Sequence, residues 1–273
     1  MLSTLNALDY AVEWRVINAA EYGFAQRRKR VFIIGYRRGT KSYEAISKLA
    51  DKKEWMESEG VFAKAFPVKK TNKEAYSEHL GENEVDITNS FNKDKPNKRS
   101  PFQNSGVMIH DRFYTLTFEP IKFNGKQKKL ADYVLPYEAV DKSFYVSEES
   151  VNHPTKGWRY VKGDKKIKRV AKNGHEYTFA EGKMVFPDQL DKPCRTIVTG
   201  EGGSSPSRFK HVIEQNGKYR RLTPVELEQL SGFRKNHTKL NGISDSKRAF
   251  FIGNALVVDV VKKIGAQLAT RIQ

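Results

Sequence analysis

The stretch from Arg220 to Phe233, Arg-Arg-Leu-Thr-Pro-Val-Glu-Leu-Glu-Gln-Leu-Ser-Gly-Phe, specifies a short helix by local physics alone. Thr223 is an N-cap candidate, and Pro224 fits the first helical position, where a missing N–H loses nothing. Glu226 stands three residues after Thr223 and can close a capping box. Leu227 and Leu230 put an apolar stripe on one face. Gly232 supplies a left-handed stop. Taken alone, such a segment is an ordinary capped surface helix. Its meaning depends on what flanks it.

Arg221, Thr223, Glu226 and Gly232 lie in a pattern that resembles the ninth motif of the C5-cytosine DNA methyltransferases, Arg-Leu-Thr-Pro-x-Glu followed by Gly-Phe-Pro-Asp. Arg234 and Lys235 depart from it, standing where the family usually has Pro-Asp. Near the start, Gln26-Arg27-Arg28-Lys29-Arg30 before Val31-Phe32-Ile33-Ile34-Gly35 resembles the eighth motif. Near the end, Gly253-Asn254-Ala255-Leu256-Val257-Val258 resembles the tenth. Three motifs in family order, with a long insert between the first two, make the resemblance specific. The family's Gly-rich donor loop, Pro-Cys-Gln nucleophile loop and Glu-Asn-Val strand do not occur in the sequence. The expectation is the C-terminal part of a bacterial C5-cytosine DNA methyltransferase, beginning just before the eighth motif.

The charge balance agrees with a nucleic-acid partner. There are 49 Lys+Arg against 32 Asp+Glu, a formal net charge of +17. Cations that neutralise phosphates release condensed counterions. Charge alone fits RNA or an anionic membrane as well, so it ranks partners without choosing one. No apolar run approaches the ~20 residues of a membrane span, and no secretory signal is recognisable. One cysteine excludes an internal disulfide and a cysteine-rich metal site. His110, His153, His175, His211 and His237 lack metal-ligand spacing, so no metal is expected. The expected location is cytoplasmic, at the bacterial nucleoid through DNA.

Along the chain, leucines at 2, 5 and 8 have helical spacing. Val12, Trp14 and Val16 alternate as in a strand, and Val31–Tyr36 reads as a buried strand. Residues 40–66 read as helical, with Ala45, Leu49 and Trp55 as contacts, and 67–99 as loop and linker. Short strands are expected at 106–109, 113–118, 143–147, 158–162, 167–171 and 177–180. Asn124-Gly125 and Asn173-Gly174 read as turns, and Leu130–Leu135 as a short helix. Leu256, Val257, Val260, Val261, Ile264 and Leu268 share a helical face over 250–272, with Asn254 as its N-cap. The fold class is α/β. The resemblance implies a partial, Rossmann-like S-adenosylmethionine-dependent catalytic domain at the termini (1–40 and 251–273). Residues 41–250 would be a β-rich target-recognition domain with linker and ninth motif.

The chemistry follows from the resemblance. C5 methylation needs a thiolate to attack C6 of cytosine. Cys194, in Pro-Cys-Arg rather than Pro-Cys-Gln, is read as a packed residue and not that nucleophile. The nucleophile and most of the S-adenosyl-L-methionine pocket are then expected from a separate N-terminal chain or fragment. Arg30 would hold a cytosine flipped out of double-stranded DNA, supported by Arg28, with Gln26 structural. Asn254 and Ala255 would lie beside the methyl donor. Arg195, Thr196, Thr199, Gly202, Gly203, Ser204, Arg208 and Lys210 would contact DNA, glycines allowing close approach and cations suiting phosphates. From composition alone, a flexible Gly/Ser loop is the ordinary reading of that segment. From another class, the alternative function is a non-catalytic, sequence-specific DNA-binding remnant.

Overall fold

The computed structural model describes residues 1–81, 85, 89 and 100–271, and the chain divides by contacts into two compact units. Unit 1 comprises 1–22, 29–124 and 260–273, and unit 2 comprises 23–28 and 125–259. The expected linker at 67–99 and the end of the last helix, Ile272, fall partly outside the described residues.

Unit 1 opens with α1 (Leu2–Ala7) and the strands β1 (Tyr10–Asn18) and β2 (Lys29–Arg37). Helix α2 (Lys41–Lys48) follows, and Thr40 caps it by accepting from the Tyr43 N–H. Next come α3 (Lys52–Glu54), a π turn at Trp55–Glu59, α4 (Val61–Ala65), β3 (Tyr76–His79), β4 (Ser105–Ile109) and β5 (Arg112–Leu116). The strands form one antiparallel sheet in the order β2-β1-β4-β5-β3.

The alternation in β1 is real, but both faces are buried. Val12 and Trp14 pack with Met108 and Phe113. On the other face, Glu13 accepts from the Tyr36 hydroxyl at 2.5 Å, the Trp55 Nε1 at 2.9 Å and the Val61 N–H at 3.1 Å. Arg15 donates to the carbonyls of Phe66 and Met56. Buried charges persist because each is hydrogen-bonded. Gly106 leaves room for the Trp14 ring, since a Cβ there would lie 1.9 Å from it.

Several expectations are corrected here. β2, which ends the sheet of described strands, is largely exposed rather than buried, with Val31 54% and Ile33 39% exposed. A continuous apolar run does not by itself distinguish a covered strand from an edge. Within 40–66, Ala45 is exposed and Tyr43 and Ile46 form the buried stripe instead. Residues 76–79 of the expected linker pair with β5.

Unit 2 contains α5 (Glu148–Asn152), α6 (Trp158–Lys162), β6 (Lys165–Val170), β7 (Glu176–Glu181), β8 (Val212–Gln215), β9 (Lys218–Arg221), α7 (Pro224–Leu230) and α8 (Asp245–Asn254). The last helix, α9 (Val258–Ala269), begins in unit 2 and continues into unit 1. β6–β7 and β8–β9 are separate hairpins, the first closed through Asn173-Gly174 as expected. The core gathers Leu130, Ile197, Ile213, Leu222, Leu227, Leu230 and Ile252.

Residues 158–162 are helical, not a strand. Trp158 and Lys162 are both fully buried, which suits i,i+4 spacing on one helical face. The 143–147 segment is a tight 3-10 turn at Lys142–Phe144, capped by Asp141, followed by a single bridge between Tyr145 and Arg220. Asn124-Gly125 closes no hairpin. Asn254 ends α8, its amide donating to the Phe250 carbonyl at 3.3 Å, and is not the cap of the following helix.

Candidate functional site

The capped helix α7 forms as its sequence requires. The Thr223 hydroxyl accepts from the Glu226 N–H at 3.3 Å, and the Glu226 carboxylate accepts from the Thr223 N–H at 2.7 Å. Gly232 follows with φ +84°. The sequence did not disclose the further partners of Glu226. The fully buried Arg220 donates to it at 2.6 and 3.0 Å, and the Leu135 N–H at 2.8 Å. One carboxylate thus ties β9, α7 and the 133–135 segment together.

Within unit 2, Arg28 is 3% exposed and donates to the carbonyls of Ile197 at 2.9 Å and Gly253 at 2.8 Å. Gln26 donates to Ser231 and accepts from the Ile197 N–H, tying its loop to its neighbours. The Gly253-Asn254 turn lies against segment 198–199, where a Cβ on Gly253 would come within 2.4 Å of the Thr199 nitrogen. Gly202 packs as closely on Ser246, whose hydroxyl donates to its carbonyl at 3.0 Å.

The loop from 196 to 211 is therefore built, not slack. Arg221 reaches the Gly202 and Gly203 carbonyls and the Ser143 carbonyl at 2.7 Å. Lys210 donates to the Gly203 and Ser205 carbonyls, both at 2.8 Å. Arg195 pairs with Asp188 at 2.7 Å and caps the Phe209 and Lys210 carbonyls. Arg208 donates to the Val161, Gly163 and Gly182 carbonyls. Glu201 and His211 form a buried pair at 2.7 Å. The expected cations Arg195, Arg208 and Lys210 thus hold backbone, while Thr199 and Ser204 stand exposed at the surface, with Thr196, Gly202 and Gly203 half-buried. The ion pairs that join Lys162 to Asp188 and Glu201 to His211 are not readable from the sequence, because pairing across a fold leaves no local spacing.

Lys162 carries a pH signature. It is buried and donates to the Lys210 carbonyl at 2.6 Å, with Asp188 at 4.0 Å. Burial, aided by Arg195, pushes its pKa down from the ordinary 10.5 to about 8. Between those values the unfolded chain binds more protons than the folded one, so the contribution of Lys162 to stability rises with pH across that window and is flat below it. Denaturant unfolding from pH 7 to 10.5 should show wild type gaining roughly 1–3 kcal/mol relative to Lys162→Met. Parallel profiles for the two proteins would contradict the assignment.

Cys194 is 3% exposed, and its backbone carbonyl accepts from the Arg27 N–H at 2.8 Å. Burial first, then the Glu201 and Asp188 carboxylates, pushes its thiol pKa far up, so the thiolate is not formed near neutral pH. Arg30, in unit 1, is exposed on β2, opposite Ile17, and donates to the Lys29 carbonyl at 2.9 Å. Asn254 is exposed and Ala255 half-buried. Among the described residues no helix is long and apolar enough to cross a membrane.

The model of the C-5 cytosine-specific DNA methylase family matches residues 1–270. The Type II methyltransferase M.Sau3AI of Staphylococcus aureus is 40% identical over 270 residues, covering 98% of this chain and 61% of its own length. M.NgoBV of Neisseria gonorrhoeae is 51% identical over 35 residues, 13% of this chain and 8% of that protein. Among solved structures, the Schizosaccharomyces pombe Dnmt2 methyltransferase is similar over 97% of this chain and 57% of its own, at 12% identity and TM-score 0.47. The Entamoeba histolytica methyltransferase EhMeth covers 98% and 56%, at 11% identity and TM-score 0.44. The designation of the chain as a C-terminal part, made from three motifs, is corrected by these findings: the family model and the S. aureus relative match nearly all of it. Matched over residues 1–270, the chain belongs to the C-5 cytosine-specific DNA methylases.

Proposed function

We propose that this chain takes part in methylating C5 of cytosine in a specific sequence of double-stranded DNA, with S-adenosyl-L-methionine as donor. Its family supports the reaction, and the S. aureus relative is itself a Type II methyltransferase. The observation that carries the proposal further is the state of Cys194. It is the one sulfur nucleophile in the sequence, and it is buried with a raised pKa. The attacking thiolate then comes from a polypeptide outside these 273 residues.

In this reading Arg30 is the exposed fork that holds the extruded cytosine and the attacking loop, since a guanidinium presents planar donors to oxygen acceptors. Arg28 acts by position, fixing the Ile197 and Gly253 carbonyls. Asn254 and Ala255 form one wall beside the donor, and the remaining walls come from the other polypeptide. Thr196, Thr199, Gly202, Gly203 and Ser204 approach DNA, and Arg195, Arg208 and Lys210 shape the loop that presents them. Functionally, 1–40 and 251–273 serve catalysis and 41–250 target recognition. Among the described residues β2 ends its sheet, and this edge, with Val31 and Ile33 exposed, offers the outside polypeptide a strand to extend.

Methyl transfer into duplex DNA tests this, with the chain alone and with a polypeptide bearing a Pro-Cys-Gln loop. Transfer only in the second case is expected. Tight DNA binding with no transfer in either case would favour the non-catalytic DNA-binding alternative.

A further inference from the structure

The geometry points to the β6–β7 ribbon of unit 2 as the element that enters the major groove of the DNA, with Lys166 and Lys168 on its phosphates. This rests on the DNA reading above and adds a specific contact surface to it.

β6 carries Lys165, Lys166, Lys168 and Arg169 and no acidic residue. The register separates these cations onto two faces. Lys165, Ile167 and Arg169 stand opposite Glu181, Phe179 and Tyr177. That face is occupied by its own contacts. The Arg169 guanidinium lies 3.8 Å from the Phe179 ring centroid, and Lys165 bonds Glu181 at 3.2 Å. On the other face Lys166 and Lys168 stand opposite the small residues Ala180 and Thr178. Neither lysine has an ion-pair partner among the described residues, and both are exposed. Towards the tip the same face carries Val170 opposite Glu176, both exposed, so along the ribbon its two lysines face solvent with one carboxylate beyond them.

The ribbon has no core of its own, with Val170 66%, Tyr177 42% and Ile167 37% exposed. A lone two-stranded hairpin is marginal in water, so its persistence comes from the base. There Arg208 donates to the Val161 carbonyl at 3.3 Å, the Gly163 carbonyl at 3.2 Å and the Gly182 carbonyl, and lies 3.6 Å from Glu181. The tip is closed by the Ala171 N–H on the His175 carbonyl at 2.8 Å, with Gly174 at φ +82°. A basic ribbon clamped at one end and bare along its length suits a concave polyanion. The B-DNA major groove, about 12 Å wide, admits a two-stranded ribbon, whose strands lie about 4.8 Å apart. The major groove of A-form RNA is too deep and narrow for side chains to read.

The test is binding of the full chain to duplex DNA across a salt series, for wild type, K166A/K168A and K166R/K168R. The alanine pair should flatten the slope of log affinity against log salt by about 1.8, at ~0.9 per phosphate contact. Near 0.1 M salt its affinity should fall roughly 10- to 50-fold, while the arginine pair keeps the wild-type slope. Binding to duplex RNA should be weaker and change little in the alanine pair. An unchanged slope in K166A/K168A overturns the ribbon's role and leaves the functional reading standing. Equal losses on DNA and duplex RNA overturn the groove placement. Wild type that binds no DNA overturns both readings.

Discussion

Replacing Glu226 with alanine should lower the unfolding free energy by about 3–5 kcal/mol, the cost of leaving a buried charge without its partner. Arg220 and Glu226 are both fully buried and joined by two hydrogen bonds at 2.6 and 3.0 Å. The same carboxylate caps α7 at Thr223 and receives the Leu135 N–H. Truncation therefore leaves the guanidinium without its counter-charge, held only by Gln215 and the Arg221 carbonyl, and two backbone donors without an acceptor. Glu226→Gln keeps acceptor atoms and should lose less. An Arg220→Met, Glu226→Leu double substitution should recover part of the loss, because it removes both charges together while the Thr223 and Leu135 N–H groups stay without an acceptor. Denaturant midpoints at constant m-value measure this. A loss of under about 1 kcal/mol for Glu226→Ala would contradict the pair's structural role.

Arg30→Ala should behave in the opposite way, sparing the fold and removing turnover. Arg30 is exposed on an edge strand and bonds the neighbouring Lys29 carbonyl, so its loss leaves no buried group unsatisfied. With Arg30 in the proposed role, holding base and attacking loop in register, its loss should cost roughly 100-fold in methyl incorporation, the penalty for a misplacement of about 1 Å. DNA affinity should change much less. Arg30→Lys should restore charge without the planar fork and recover activity only in part. Methyl incorporation in the complemented assembly, with DNA binding in parallel, checks this. Full activity in Arg30→Ala would remove the arginine from the mechanism.

What was legible in the sequence was local. The α7 cap could be read because Thr223, Pro224, Glu226 and Gly232 act on one another within ten residues. The β6–β7 turn could be read because Asn173-Gly174 fixes it. Pairings across the fold were not legible. Nothing in the spacing announces that Arg220 reaches Glu226, that Lys162 sits beneath Lys210, or that Arg28 spans Ile197 and Gly253. The segment Trp158–Lys162 alternates like a strand, yet burial of its first and last side chains makes it a helix. β2 reads as a buried strand from its apolar run, yet Val31 and Ile33 stand exposed. The loop cations illustrate the same limit. Composition offers Arg195, Arg208 and Lys210 to phosphates, but the fold engages them with carbonyls.

The proposed supply of the reaction's thiolate from outside these residues decides between catalysis by this chain and catalysis with a second polypeptide. It is tested most directly by methyl transfer from S-adenosyl-L-methionine to cytosine C5 in duplex DNA with Cys194→Ser in the complemented assembly. The swap replaces a packed thiol and should cost about 1 kcal/mol of stability, within the usual range for point substitutions. Most of the wild-type rate is the predicted result. Complete loss of transfer with the fold intact would contradict the account and make Cys194 the nucleophile.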